Sequence, residues 1–290
     1  MIRLTEQEKR MYDVMGAIAN SDVPVIYKGA LVTKLILQEN QFDDFVRETR
    51  DIDASWAGAN PPPMEELTDM LNRALAGLNL KAVAVREYGE KMSASYDIFD
   101  VSNNELSMTI DIDMRASVDS RVYQFGNVTF QGVTPDNVIG DKISAVSSDK
   151  VFRRAKDLID IYALAHCVTV KTDNIRRIWK RENRVIGDFN AFTNRQDDLR
   201  HSYEKLRRIS AKPEFDVIYG YLAKFLAPFV EARAASLVWN SGDKGWVDDQ
   251  SRELAASEPE TFLGEIREAK RIADETPQKE SYRKKNEIDL

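Results

Sequence analysis

Thr49-Arg50-Asp51-Ile52-Asp53-Ala54-Ser55-Trp56 is the stretch on which the reading of this chain turns. In an extended strand successive side chains point to opposite faces, so Asp51 and Asp53 share one face while Ile52 points into the core. Two adjacent carboxylates on one face repel each other, and that costs stability unless a cation lies between them. A second Asp-Ile-Asp, Asp111-Ile112-Asp113, sits inside the strand-like run Leu106 to Arg115. If both strands belong to one sheet, three or four carboxylates converge, which is the layout a two-metal phosphoryl-transfer site needs. Taken one at a time, each pair could equally be a solvated strand face.

Outward from these two runs, the N-terminal half alternates helix and strand patterns. Residues 5–19 carry Met11, Val14, Met15 and Ile18 at helical spacing. Val23 to Tyr27 reads as a short strand, Lys28-Gly29 as its end, and Ala30 to Leu37 as a helix. Gly58 to Pro63 is a loop leading into a helix over 64–78. Alternating runs at 80–88, 92–99, 105–115 and 121–132 predict sequential antiparallel strands. Thr134-Pro135-Asp136 is a helix start, with a hydroxyl cap, a proline at the first position and an acid on the dipole. Beyond it every periodic run reads as helical, at 135–147, 152–167, 172–183, 195–208, 214–236 and 259–273. The expected fold is therefore α+β, a mixed or antiparallel sheet with flanking helices (1–133), then a helical domain (134–274) and a charged tail (275–290).

The inventory of side chains narrows the chemistry. Two histidines and one cysteine cannot supply the four ligands of a structural zinc site. His166 and Cys167 fall inside an apolar helical run and read as core, and no motif supports a histidine-based nucleophilic mechanism. Carboxylates, lysines and a hard cation such as Mg²⁺ remain. The net charge of −7 argues against a protein that coats nucleic acid, while leaving room for a local basic face. No apolar stretch is long enough to span a bilayer, and the acidic start does not read as a signal peptide. With a single cysteine these features lead us to expect a cytoplasmic location.

Further candidates lie at Lys28-Gly29, where a strand meets a helix N-terminus that favours phosphate, and at Asp141-Lys142. Arg153-Arg154-Ala155-Lys156-Asp157-Leu158-Ile159-Asp160 follows, with Asp157 and Asp160 on one helix face. The plain alternative for that last segment is a salt-bridged helix surface. Taken in order, Tyr27-Lys28-Gly29, Thr49 to Asp53, Asp141-Lys142-Ile143-Ser144-Ala145 and Arg154 to Asp160 resemble the AbiEii family over about residues 23–165. These are nucleotidyltransferase-like toxins of bacterial toxin–antitoxin and phage-abortive systems. The resemblance implies a polymerase-beta-like nucleotidyltransferase fold, an NTP substrate and Mg²⁺. By it, Asp51 and Asp53 are the metal pair and Asp111 the third acid, with Asp113 as the alternative. Lys28 and Gly29 match the phosphate motif, Lys142 a phosphate-holding lysine, Asp157 a further site acid and Asp160 its partner. One departure stands out. The family continues Lys-Gly-Gly-Thr/Ser, and here the chain reads Lys28-Gly29-Ala30-Leu31.

Arg176, Arg177, Lys180, Arg181 and Arg184 make a basic helix strip, readable as a solvated face, as an RNA-backbone contact or as a dock for an acidic antitoxin. Since some relatives act on the tRNA acceptor end, the resemblance implies RNA, tRNA above all, as the acceptor. Two alternatives remain open: a binding protein of the same fold with impaired catalysis, and nucleotidyl transfer to a protein or small molecule. Trp239 and Trp246 flank the turn-like Ser241 to Gly245 and read as packing residues.

Overall fold

A computed structural model of the chain describes residues 4–44, 46–86, 93–114 and 118–249. The expected helix over 259–273 and the tail over 275–290 lie outside them.

The chain opens with α1 (Glu6–Ala19), started by a reciprocal capping box between Thr5 and Glu8. There follow β1 (Val25–Lys28), α2 (Gly29–Glu39), a two-residue strand β2 (Val46–Arg47) and β3 (Asp51–Trp56). After α3 (Met64–Leu75) come β4 (Leu80–Arg86), β5 (Ser93–Asp100), β6 (Leu106–Asp113), β7 (Ser120–Phe125) and β8 (Val128–Val133). The helical part holds α4 (Pro135–Ser147), α5 (Ala155–Cys167), α6 (Thr172–Arg181), α7 (Asn190–Asn194) and α8 (Gln196–Glu204). A two-residue strand β9 (Ile209–Ser210), α9 (Phe215–Val230), and the strands β10 (Leu237–Asn240) and β11 (Gly245–Asp248) complete the described elements.

Seven strands form one mixed sheet in the order β4-β5-β6-β3-β1-β8-β7. β3 lies parallel to β6 and antiparallel to β1, so both Asp-Ile-Asp runs are neighbours in its middle. The alternation the sequence predicts is present: Ile52, Ala54, Ile110 and Ile112 are buried on one face, and the aspartates occupy the other. α1 closes the apolar face, where Tyr27 donates to the Met15 carbonyl at 3.0 Å.

Three expectations change. The run 121–132 is two strands rather than one, because Gly126 (φ +56°) turns the chain between β7 and β8. That hairpin joins the opposite end of the sheet, beside β1, instead of following β6. Beyond Thr134 not every periodic run is helical: α9 stops at Val230, and β10 and β11 form a two-stranded sheet. In it Trp239 donates to the Ala165 carbonyl (2.7 Å) and Trp246 to that of Phe225 (3.0 Å), tying both strands to helices. The small ribbon β2–β9 had no sequence signal, since two residues are too few for a period to register.

Residues Met1–Trp246 make one compact unit. The border expected near residue 134 falls inside it, at the step from β8 to α4.

Candidate active site

Register decides what meets what. Lys28, Asp53 and Asp111 are direct cross-strand partners in one row over β1, β3 and β6, with Asp51 one row along beside Thr109. Paired residues of neighbouring strands present their side chains on the same face. The row opens into a cleft of about 730 Å³ whose other wall comes from α4, α5 and the segments around them. Lys28, Asp51, Asp53 and Asp111 line it from the sheet; Asp141, Lys142, Arg154, Lys156 and Asp157 face them, and Arg47 and Arg184 contribute at the sides.

The carboxylates here are unequal. Burial pushes the Asp53 carboxyl above its ordinary value, the neighbouring Asp51 and Asp111 add to the rise, and Lys28 and Lys156 offset only part of it. Among the described residues the Asp53 carboxylate has no hydrogen-bond or ion-pair partner. Burial acts on Asp51 in the same sense, but a 2.5 Å hydrogen bond from Thr49 Oγ1, together with Lys156 and Arg47, brings its carboxyl below the usual value. Asp111 accepts a hydrogen bond from Ser95 Oγ. Gly29 is forced by this crowding. It adopts φ +73°, and a Cβ there would lie 2.0 Å from Asp53 Oδ2.

A hard divalent cation fits this donor set. The acids offer oxygen only, and Asp53 is a carboxylate whose charge the protein leaves under-compensated. No three acid, histidine or cysteine side chains among the described residues are already gathered around one point. The fourth carboxylate of the expected convergence, Asp113, stands apart from the cleft lining, 3.4 Å from Lys28 Nζ.

Behind the opposite wall the charges are paired in full. Lys142, 6% exposed, reaches Asp160 Oδ2 at 2.6 Å and Asp157 Oδ1 at 3.3 Å. Arg47 grips Asp160 with two bonds of 3.0 and 3.1 Å, and Arg154 Nε donates to Asp157 at 2.6 Å. Burial opposes the charge on Asp160, but Arg47 and Lys142 outweigh it and hold the carboxyl far below its usual range. Burial alone would lower Lys142, and Asp160 and Asp157 raise it instead. Asp157 and Asp160 are therefore not a salt-bridged surface: they are 1% and 6% exposed. Lys142 enters the cleft wall with its charge already met.

The basic strip is divided among several tasks. Arg184 turns to the cleft and pairs with Asp141 and Glu182. Arg181 pairs with Asp119 (2.5 Å) and Glu182 (3.1 Å), and Arg176 donates to the carbonyls of Arg233 and Ala235. Arg177, Lys180 and Arg181 stand exposed on α6, and of these Arg181 is the one ion-paired among the described residues.

Sequence reasoning gave no role to Arg47, Lys156 or Arg184 in the cleft. The latter two lie in or beside quoted motifs, while Arg47 gave no local signal because its partner is more than a hundred residues away. At the departure from the family motif, Ala30 and Leu31 are buried, and the nearby Thr33 hydroxyl donates to the Gly29 carbonyl at 2.9 Å. His166 stacks on Tyr221 with centroids 4.2 Å apart, and burial pushes the Cys167 thiol up to about 12. Neither lines the cleft.

Comparison with known proteins adds the family. Among solved structures the chain is similar to MenT4, a nucleotidyltransferase toxin from Mycobacterium tuberculosis, with 15% identity and a TM-score of 0.41 over 65% of this chain and 66% of that one. It is also similar to an antigenic nucleotidyltransferase-like protein from Paracoccidioides brasiliensis, with 11% identity and a TM-score of 0.41 over 76% of this chain and 99% of that one. No curated protein matches the sequence. Residues 37–240, well over half the chain, match the family described as the nucleotidyl transferase AbiEii toxin of type IV toxin–antitoxin systems. The chain belongs to the AbiEii nucleotidyltransferase toxin family.

Proposed function

We propose that this nucleotidyltransferase moves a nucleotide from an NTP to the 3′-hydroxyl of an RNA, a tRNA end above all, and that it needs Mg²⁺. The observation that carries this reading is the row Lys28–Asp53–Asp111 with Asp51 beside it, three acids on one cleft face whose neighbouring cations offset only part of the cost of burying the central carboxylate. Asp51, Asp53 and Asp111 hold the metal, with Asp113 in reserve. Bound there, Mg²⁺ supplies charge neutralisation at the α-phosphate and lowers the pKa of the attacking hydroxyl. Lys28, at the N-terminus of α2 beside Gly29, and Lys156 offer positive charge to the triphosphate. Lys142 keeps Asp160 ionised and holds Asp157 in place, and with them shapes the nucleotide side of the cleft. In this reading residues up to 133 supply the metal carboxylates and Lys28, and residues from 134 supply Lys142 and Lys156.

Arg177 and Lys180, with Arg176, Arg181 and Arg184 behind them, are the RNA contact. No helix among the described residues is long and apolar enough to cross a membrane, and a cytoplasmic enzyme kept in check by an antitoxin agrees with the family.

The deciding experiment is incubation with bacterial RNA, Mg²⁺ and each α-labelled NTP, wild type beside Asp53→Ala. Label on a tRNA-sized band that depends on Asp53 is the expected result. Label on protein or on a small molecule instead would move the acceptor and remove the role of the basic strip. A second reading, a fold that binds nucleotide without turnover, draws on Ala30-Leu31 in place of Gly-Thr/Ser, and pyrophosphate release would exclude it.

A further inference from the structure

One buried charge outside the cleft is tied to it through a short chain of contacts. Glu8 serves α1 as the acid of its capping box, with Oε2 accepting from the Thr5 backbone at 3.0 Å. Capping-box acids normally sit at a wet helix end, yet the Glu8 side chain is 0% exposed. Its other oxygen, Oε1, accepts from the Lys34 ammonium of α2 and from the Thr49 backbone N–H at 2.9 Å. The Lys34 side chain is 6% exposed and, among the described residues, its ammonium bonds only Glu8.

A buried ion pair is weak evidence for stability, because removing two charges from water offsets most of their attraction. What this one does specify is the position of Thr49. That residue is 5% exposed, its N–H is held by Glu8, and its hydroxyl donates to Asp51 Oδ1. A β-branched side chain has few χ1 choices, so fixing the backbone also aims the hydroxyl. With Oδ1 held by that hydroxyl, the Asp51 side chain is fixed where it lines the cleft. Glu8 and Lys34 both precede residue 37, where the match to the family begins, so they are features of this chain that the match does not cover.

We infer that Thr49, anchored by the buried Glu8–Lys34 pair, is a positioning residue that presents Asp51 to the cation in the cleft. The inference rests on the assignment of Asp51 as a metal-holding carboxylate. Groups that orient a metal ligand typically change affinity or activity by about 10–100-fold when lost.

The test uses the full chain with Thr49→Val, which keeps the shape and removes the hydroxyl, Thr49→Ser, which restores it, and Asp51→Asn. Mn²⁺ binding to the substrate-free protein is titrated calorimetrically, and kcat and KM for NTP are measured alongside. The expected result is a 10–100-fold weaker Mn²⁺ affinity and a similar fall in kcat for Thr49→Val. Its KM for NTP and thermal midpoint should stay near wild type, and Thr49→Ser should recover both losses. Glu8→Leu/Lys34→Met, which removes the pair without stranding a charge, should weaken Mn²⁺ in the same direction. Wild-type Mn²⁺ affinity in Thr49→Val, with affinity lost in Asp51→Asn, would overturn the inference and leave the site assignment standing. Wild-type affinity in Asp51→Asn would overturn both.

Discussion

Asp53 lines the cleft and Asp160 lies behind its opposite wall, and their carboxyls are pushed in opposite directions. Burial acts against the charge on both. At Asp160 a two-pronged Arg47 and the Lys142 ammonium outweigh it, and the charge is locked in. At Asp53 the nearest groups include two more carboxylates, Lys28 and Lys156 offset only part of the cost, and the charge is left exposed to whatever cation arrives. The difference separates a wall from a site. A satisfied buried network holds elements in place, here α4 and α5 against β2, whereas an under-compensated carboxylate is held at an energetic cost that a bound cation removes.

The comparison can be broken by experiment, starting with its largest expected consequence. Asp160→Ala leaves Arg47 and Lys142 facing each other without the acid between them, and should cost about 3–5 kcal/mol of stability, read from urea unfolding. Asp53→Asn should do the reverse. It relieves repulsion, so unfolding stability should hold or rise, while nucleotidyl transfer falls by about 10²–10³-fold. Loss of stability in both variants would mean that the two clusters are structural alike.

Next in size is Gly29→Ala. The left-handed backbone costs an alanine about 1–2 kcal/mol, and the new Cβ collides with Asp53. Activity should fall along with the thermal midpoint.

Acid should then distinguish the two walls. The folded-state pKa of Asp160 is depressed, so its contribution to stability is present above the ordinary carboxylate value of about 3.9 and is lost as pH falls below it. Wild type should lose stability steeply below about pH 4, and Asp160→Asn, starting lower, should lose less over the same window. Parallel curves for the two proteins would show that Asp160 is not the group responsible.

The smallest effect belongs to the exposed basic pair. Arg177→Glu/Lys180→Glu should leave stability within about 0.5 kcal/mol. It should weaken RNA binding and reduce its salt slope by about one per cation removed. Unchanged salt dependence would detach α6 from the acceptor.

The legible part of this chain was the part governed by local periodicity. Alternation in Asp51–Trp56 and Leu106–Asp113 put acids on one face and isoleucines on the other, and the strands formed as read. Where a turn interrupted a pattern without breaking it, as at Gly126 between β7 and β8, one strand was read in place of two. The order of motifs also carried the family, and those from Thr49 onward fall within the matched residues 37–240.

Burial and partner choice were not legible. Asp157 and Asp160 three residues apart look the same in sequence whether they face water or an arginine from β2. Glu8 gave no sequence signal of a link to the site, and only the packed molecule shows it reaching the residue that holds Asp51. By itself, then, the sequence determined which side chains share a face, because the pleat and the helical turn are set by neighbours a few residues away. Tertiary structure alone decided that β3 lies parallel to β6 with Asp53 opposite Asp111, which charges are paired and which are left wanting. Those outcomes depend on contacts far apart in the chain and on how much water each carboxylate loses when they form.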